Sequence, residues 1–385
     1  MNLKTTSLLL ALFTVFCFVA CGEKDSDETE SLKREALNQY AKIVLASYED
    51  SYTSAEILKQ KIDAFLNSPT DAGFQECKEA WLACRIPYNQ TDAFRFYGGP
   101  IDDADGPEGF LNAWPVDESF IDYVQGNSNA GIINNPMLQP VISKQVLISL
   151  NELFSESSIF TGYHAIELLL WGQDLNANSP GARPYTDYVT DGTGTASYQD
   201  RRGQYLRVCA DLLLENLAQV RNEWNPGADY PIEFLTNNPV KKSLGLVFTG
   251  ITEFTDAELA GERMFVAIDT KDQEHEHSCF SDDTTNDLKM NLLGVKNVYF
   301  GTYTKVDGSI LAGRSFSEIA ELLDPVKADA TRAAFLDAEA KVNAIPAPFD
   351  QTILNNPASV QAAIDALRIL AESLEEVGIA IGAEF

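Results

Sequence analysis

The stretch GYHAIELLLWG, residues 162–172, sets one of only three histidines three residues before a glutamate. On an α-helix, positions i and i+3 share a face, so His164 and Glu167 can aim at one atom. Imidazole with carboxylate suits zinc, iron or copper. Two ligands do not complete a site, because a catalytic zinc takes three protein ligands and a water. Gly162 removes a side chain just before the pair and admits another backbone or a ligand. The plainer alternative is a polar stripe on an ordinary helix.

The other two histidines fall in EHEHSCFSDD, residues 274–283, with four acids. His275 and His277 can ligate metal from a loop, while a solvated loop whose Ser281 or Asp282 caps the next helix is the alternative. A third stretch, ACRIPYNQTDAFRF at 83–96, places Arg85, Tyr88, Asp92 and Arg95 at helical steps of three and four. Pro87 lies inside it and should disturb the helix. That pattern reads either as ion pairing on an exposed face or as the wall of a site. The fourth, AELAGERMFVAI at 257–268, offers Glu258, Glu262 and Arg263, with a buried Glu–Arg pair as the structural alternative.

The elements that must carry these residues read as helices throughout. Residues 31–66 show an apolar stripe of Leu37, Tyr40, Val44, Tyr48 and Tyr52, continued by Leu58, Ile62 and Phe65. A second helix is expected over 74–94. Residues 97–136 form a Gly-, Pro- and Asp-rich loop with Phe110, Leu111, Trp114 and Phe120 to bury, and long structured loops are often functional. Helices follow near 138–150 and 155–171, and the latter carries His164. The Gly/Pro/Ser/Thr-rich segment 176–198 marks a boundary. Beyond it, helices are expected at 199–223, 239–268 (bent at its glycines), 284–304, 316–342 and 358–380, with a polar loop at 271–284. No alternating strand run is evident. The fold class is therefore all-α: an N-terminal bundle over 31–180, a linker at 181–198 and a C-terminal bundle over 199–385. About four helices in each half admit a divergent internal duplication, without a direct residue repeat.

The chain opens MNLKTTSLLLALFTVFCFVAC. A basic start, an apolar run from Leu8 to Ala20 and a small residue before the cut describe a signal peptide over 1–20. The run is too short to span a bilayer comfortably. FVAC resembles the lipobox of bacterial lipoproteins, with Cys21 acylated and Phe18 in place of the usual leucine. GEKDSDETE then forms an acidic tether, over 21–30. The expected location is the cell envelope, as an outer-membrane or cell-surface lipoprotein, held by lipid rather than by a spanning helix. Net charge is −29, and −30 once residues 1–20 are removed. That argues against a basic nucleic-acid footprint and points to solubility outside the cell; the chain is expected to be a monomer. Cys77 and Cys84 are about 10 Å apart on one helix, too far for a disulfide. Cys209 and Cys279 are free to pair in an oxidising compartment.

Taken together, the four stretches resemble the imelysin-like family, grouped as peptidase family M75. GYHAIE matches its GxHxxE motif. AWLACRIPYNQTDAFRF with PIDDADGPEGFLNAWPVDESFIDYV resembles its N-terminal signature, and GERM with EHEHSCFSDDT its second-domain signature. The lipobox fits lipoprotein members from Bacteroidetes. The resemblance implies two helical bundles with a functional region, an interdomain cleft, where they meet. It places His164 and Glu167 there with Arg85, Tyr88 and Asp92, and adds Glu262, Arg263, Ser278, Ser281 and Asp282 from the second domain. Asp92 stands where members often have Glu, which shortens its reach by a methylene.

The resemblance implies either iron uptake or peptidase activity. Arg85, Arg95 and Arg263 beside a site would oppose a bare cation and suit an anionic ligand or a metal chelate. The leading expectation is a non-catalytic lipoprotein that binds iron, or an iron-containing or anionic ligand. The alternative is a zinc metallopeptidase in which His164, Glu167 and His275 or His277 hold the metal and Glu276 or Glu262 acts as base. A structural or interaction lipoprotein is the third.

Overall fold

The computed structural model of the chain describes residues 20–176 and 178–385. Residues 1–19 of the expected signal peptide and the expected lipid attachment at the Cys21 side chain lie outside what it describes. Helix α1, Ala20–Asn67, takes in the tether residues 21–30 as helix. Its expected stripe is buried at Leu37, Tyr40, Val44, Tyr48, Leu58, Ile62 and Phe65, with Tyr52 half-buried. Helix α2, Asp71–Asn89, starts where the Thr70 side chain accepts from the Gly73 N–H. Pro87 sits in its last turn, and the chain then tightens into a 3₁₀ helix over Gln90–Phe94. The missing proline N–H is cheap there because the α-ladder is already ending.

Helices α3 (Gly162–Trp171) and α4 (Gln199–Glu223) complete the first bundle with α1 and α2. Lys59 of α1 meets Asp211 of α4 at 3.0 Å, and Arg207 of α4 meets Asp63 of α1 at 3.0 Å. The structure thus groups α4 with the first bundle, whereas its position after the Gly/Pro-rich segment suggested the second. Residues 181–198 are not a free tether. Arg183 and Arg202 both grip buried Asp122 at 2.7 Å, and the Tyr188 hydroxyl donates to the Leu169 carbonyl at 2.6 Å. Composition marked the lack of α-helix there, where the chain makes only a 3₁₀ turn over Tyr185–Tyr188, but not these long-range pairings.

The second bundle holds α5 (Val240–Glu253), a π-helical continuation over Phe254–Phe265, α6 (Thr284–Phe300), α7 (Phe316–Leu323), α8 (Pro325–Asn343) and, after the short helix α9 (Phe349–Asn355), α10 (Pro357–Ala380). Helix α10 packs on α5, the π segment and α8. The described strands are two short ones, β1 (Thr302–Thr304) and β2 (Ile310–Ala312), in an antiparallel hairpin. Helix α6 crosses α2 and the 3₁₀ turn at the junction of the bundles. Gly294 permits that approach, because a Cβ there would collide with the Gln90 carbonyl. One apolar cluster runs through both bundles. No helix among the described residues is long and apolar enough to cross a membrane.

Cys77 and Cys84 are buried in α2, and Cys209 and Cys279 are free thiols rather than a disulfide. Cys209 packs toward the Phe160 carbonyl on the α4 side of the first bundle.

Candidate functional site

The centre begins at the first residue of α3. Gly162 has φ +84°, and a Cβ there would stand 2.5 Å from the Leu111 carbonyl oxygen. Only glycine fits both demands. The backbone it admits is that of 108–112, which brings Asn112 alongside α3. Every residue of α3 is buried, so His164 and Glu167 face the interior rather than water. His164 Nδ1 lies 2.8 Å from Glu167 Oε2. Glu167 Oε1 accepts from the Ser281 N–H at 2.9 Å and the Ser281 hydroxyl at 2.7 Å. His164 Nε2 is buried and has no hydrogen-bond partner.

His277 stands edge-on to His164, with ring centroids 4.8 Å apart. Asn112 settles its tautomer. Asn112 Oδ1 accepts from Arg85 at 2.6 Å, so its Nδ2 turns to His277 Nε2 at 3.3 Å as a donor. His277 Nε2 therefore accepts, and Nδ1–H donates to Asp287 Oδ2 at 2.8 Å. Asp287 also accepts from the Ser278 hydroxyl at 2.5 Å and from the Asn89 amide, and Arg85 Nε stands 3.5 Å away. The Arg85 guanidinium lies over Tyr163 at 4.9 Å, Trp81 at 5.6 Å and Tyr88 at 5.7 Å. Tyr88 thus contributes an aromatic wall and packs on Tyr163 at 4.6 Å.

Burial dominates the electrostatics. It pushes both histidines well below the ordinary imidazole range, with the charge of Arg85 adding to it at His164 and that of Arg263 at His277. It raises Asp287 too, but Arg85 and His277 outweigh burial and hold that carboxyl far below its usual range. Glu167 has hydrogen bonds but no direct guanidinium contact, and burial lifts it to about 8. Its protonation state decides what His164 can do. Neutral Glu167 donates Oε2–H to Nδ1, the ring proton then sits on Nε2, and Nε2 is a donor fitted to an anionic oxygen. Ionised Glu167 accepts Nδ1–H, and Nε2 becomes a lone pair able to ligate a metal.

A second polar cluster adjoins the first. Asp92 Oδ2 accepts from Arg263 at 2.8 Å and from Asn291 at 2.9 Å. Arg263 also donates twice to Glu258 Oε1, at 3.0 and 2.9 Å, and to Asn291 Oδ1 at 2.8 Å. Asn291 Nδ2 donates to the Asn89 carbonyl at 2.8 Å. Arg95 lies 3.2 Å from Glu108, 3.7 Å from Glu258 and 3.8 Å from Asp92. Glu258 and Arg263 are five apart, a spacing that α-helical geometry would splay. The π-helical winding over Phe254–Phe265 stacks them, and such winding is frequent at functional sites.

The structure therefore gathers His164, Glu167, His277, Arg85, Tyr88, Ser278 and Ser281 at one centre, with Asp92, Arg95 and Arg263 beside it. Three sequence candidates fall elsewhere. His275 is partly exposed and pairs with the Thr270 hydroxyl at 3.0 Å. Glu262 is exposed on the π segment, because its neighbour Arg263 takes the inward face. Asp282 has a left-handed backbone at φ +60°, and its carboxyl feels the charges of Asp174, Asp350 and Glu167 without hydrogen-bonding either histidine of the centre. Neither Ser281 nor Asp282 caps α6, whose N-cap is Asp283. The sequence reading missed Asn89, Asn112, Asp287 and Asn291. A signal for two of them existed: Asp287 and Asn291 are four apart on α6, with apolar Leu288 and Leu292 beside them.

Among the described residues no group of three or more His, Cys, Asp or Glu side chains is arranged to hold a metal ion. The bonding explains why. Both oxygens of Glu167, both nitrogens of His277 and the Asp287 carboxylate are engaged, which leaves His164 Nε2 as the one open nitrogen of the histidine pair. Arg85 further opposes a bare cation. A preformed site for an uncomplexed metal ion is not what these donors make.

The family model described as Peptidase_M75, Imelysin, matches residues 44–377. The chain is 25% identical over 369 residues to iron-regulated protein A of Synechococcus elongatus, an alignment covering 93% of this chain and 88% of that one. A crystal structure of a putative iron-regulated protein A precursor from Parabacteroides distasonis superposes with a TM-score of 0.70 at 18% identity, over 91% of this chain and 95% of that one. An imelysin-like protein from Psychrobacter arcticum gives 0.65 at 12% identity, over 92% and 97%. At those identities the two structures speak for the fold.

Proposed function

This chain belongs to the imelysin family, and we propose that it is a membrane-anchored envelope lipoprotein that binds iron, or an iron-containing or anionic ligand, in iron uptake. The binding centre is the His164–Glu167–His277 cluster, and no hydrolysis takes place there. The observation that carries the reading is His164 Nε2: a buried nitrogen with no partner, in a centre that also holds Arg85 and His277. Leaving such an atom unsatisfied costs about 1–3 kcal/mol, a cost that binding would relieve. The naming of the Synechococcus relative as iron-regulated supports the iron link, and the lipobox supports the anchor.

Access requires the centre to open. Arg85, Asn112, His164 and Glu167 come from the first bundle, and His277, Ser278, Ser281 and Asp287 from the segment entering α6. Parting these two sides releases Glu167 from Ser281 and Arg85 from Asp287. The released groups then offer a carboxylate, imidazoles and a guanidinium together. That set suits an iron complex that brings its own anionic ligands better than naked iron. The peptidase alternative is less well served, because Glu167 and His277 are held by hydrogen bonds instead of facing an open coordination position.

The test is elemental analysis and calorimetry on metal-stripped mature protein, titrated with iron(II), ferric citrate and zinc(II). Uptake of iron or ferric citrate by wild type, lost in His164→Ala, is expected. No uptake by wild type, or equal uptake by His164→Ala, overturns the proposal. Zinc-loaded protein that cleaves a broad peptide mixture, with Glu167→Ala inactive, overturns its non-catalytic part.

A further inference from the structure

The long loop before α3 carries a tryptophan that neither the apolar core nor the proposed binding set absorbs. Of the four tryptophans, Trp81, Trp171 and Trp224 are at most 4% exposed, whereas Trp114 is only half-buried. Leu111 and Val116, on either side of it, join the apolar cluster, and Trp114 stands outside that cluster. What the indole covers is the histidine centre. It meets the His277 ring in a T-shaped contact, with centroids 5.3 Å apart. The other hydrogen-bond partners of the two histidines, Glu167, Arg85, Asn112 and Asp287, are at most 1% exposed. Among the described residues, Trp114 is therefore the one hydrogen-bond or ring partner of either histidine that reaches water.

The backbone that carries the indole is loosely tied. Asn112 N–H donates to the Glu108 carbonyl at 3.0 Å, and Asp117 N–H to the Ser157 carbonyl at 2.9 Å. Between those two anchors, the backbone of residues 113–116 makes no hydrogen bond with any described residue, and neither does the Trp114 indole N–H. Segments with few hydrogen bonds and little buried apolar contact open at the lowest cost. A large aromatic side chain left half in water gains little from core packing, and binding residues concentrate on loops held by a rigid scaffold.

We propose that Trp114 is the gate of the histidine centre: the ligand enters where the indole lifts from His277, and the indole closes behind it. The gate rests on the binding reading given above. The Trp114–His277 contact is the outermost of those that must part before Glu167 leaves Ser281 and Arg85 leaves Asp287. The anchors at Asn112 and Asp117 confine the movement of the chain to residues 113–116. A gate of this kind sets the rates of entry and exit more than the affinity.

The first test needs no ligand. The mature protein is treated with diethyl pyrocarbonate, and modification of each histidine is followed by mass spectrometry, with the reactivity of the buried thiols measured in parallel. In wild type, His275 should react readily and His164 and His277 slowly. Trp114→Ala should speed His164 and His277 by about tenfold or more while Cys77, Cys84 and Cys209 stay unreactive, because only the local opening becomes easier. Trp114→Phe, which keeps an aromatic ring over His277, should fall between wild type and alanine. Trp114→Leu, read in the same way, replaces an alanine variant that does not fold. The second test is stopped-flow binding of ferric citrate, followed by the fluorescence of the buried tryptophans. Association and dissociation should quicken together in Trp114→Ala, with Kd within about threefold of wild type. Unchanged histidine reactivity in Trp114→Ala, acceleration of histidines and thiols together, or unchanged binding rates overturns the gate. If wild type binds no ferric citrate while Trp114→Ala still exposes the two histidines, the iron reading fails and the opening at Trp114 is upheld.

Discussion

Replacement of Asp287 by alanine tests whether the polar centre is organised by that one carboxylate. Asp287 is fully buried and receives His277 Nδ1–H at 2.8 Å, Ser278 Oγ–H at 2.5 Å and the Asn89 amide, with Arg85 Nε 3.5 Å away. Removing one partner of a buried ion pair costs about 3–5 kcal/mol, because the other charge is stranded. Each donor left unsatisfied adds about 1–3 kcal/mol before relaxation or water entry. Folded domains are stable by only about 5–15 kcal/mol, so Asp287→Ala should lose at least about 3 kcal/mol in urea unfolding at pH 7. Arg85→Met in the same background should recover part of that loss, giving a coupling of at least about 2 kcal/mol in a double-mutant cycle. If the alanine variant cannot be purified, Asp287→Asn keeps the shape and removes only the charge. The sign with pH also follows. The folded-state pKa is depressed, so the stabilisation is present above the unfolded value of about 3.9 and fades as pH falls below it. A loss under about 1 kcal/mol, or a cycle that is additive within about 0.5 kcal/mol, would refute the central role of Asp287.

Two further outcomes are expected. Glu167 is raised to about 8 by burial, so the folded state holds its proton more tightly. Its contribution is complete below the unfolded value of about 4.3 and is lost as pH rises through about 8, with a slope of at most about 1.4 kcal/mol per pH unit. Glu167→Gln should flatten that decline in urea unfolding between pH 5 and 8.5, and an unchanged slope counts against the assigned environment. Gly162→Ala forces a side chain onto φ +84° and into the Leu111 carbonyl; it should cost about 2 kcal/mol or more and lower Tm by several degrees. A wild-type Tm would show that the backbone contact is not tight.

Much of the framework is legible in the amino-acid order because helices are local. The stripe of Leu37, Tyr40, Val44 and Tyr48 is buried along α1 as its three-and-four spacing requires. GxHxxE does place His164 and Glu167 on one face, 2.8 Å apart. The all-α class and the buried cysteines of α2 follow from periodicity, and the expectation of Arg85, Ser278 and Ser281 beside the motif from the family signatures, which do not single out His277 from His275. Other features depend on chain segments far apart in sequence. Helix α4 joins the first bundle because Arg202 reaches Asp122, 80 residues away. Arg263, rather than Glu262, faces inward because the local winding is π, and Glu258 rather than Glu262 becomes its partner. His277 was readable as a loop histidine, but its tautomer is set by Asn112, 165 residues earlier. Local spacing determines which residues can share a helix face. Which faces meet, and hence whether a histidine is a ligand, a donor or a satisfied core residue, is decided only when burial forces every polar atom to find a partner across the fold.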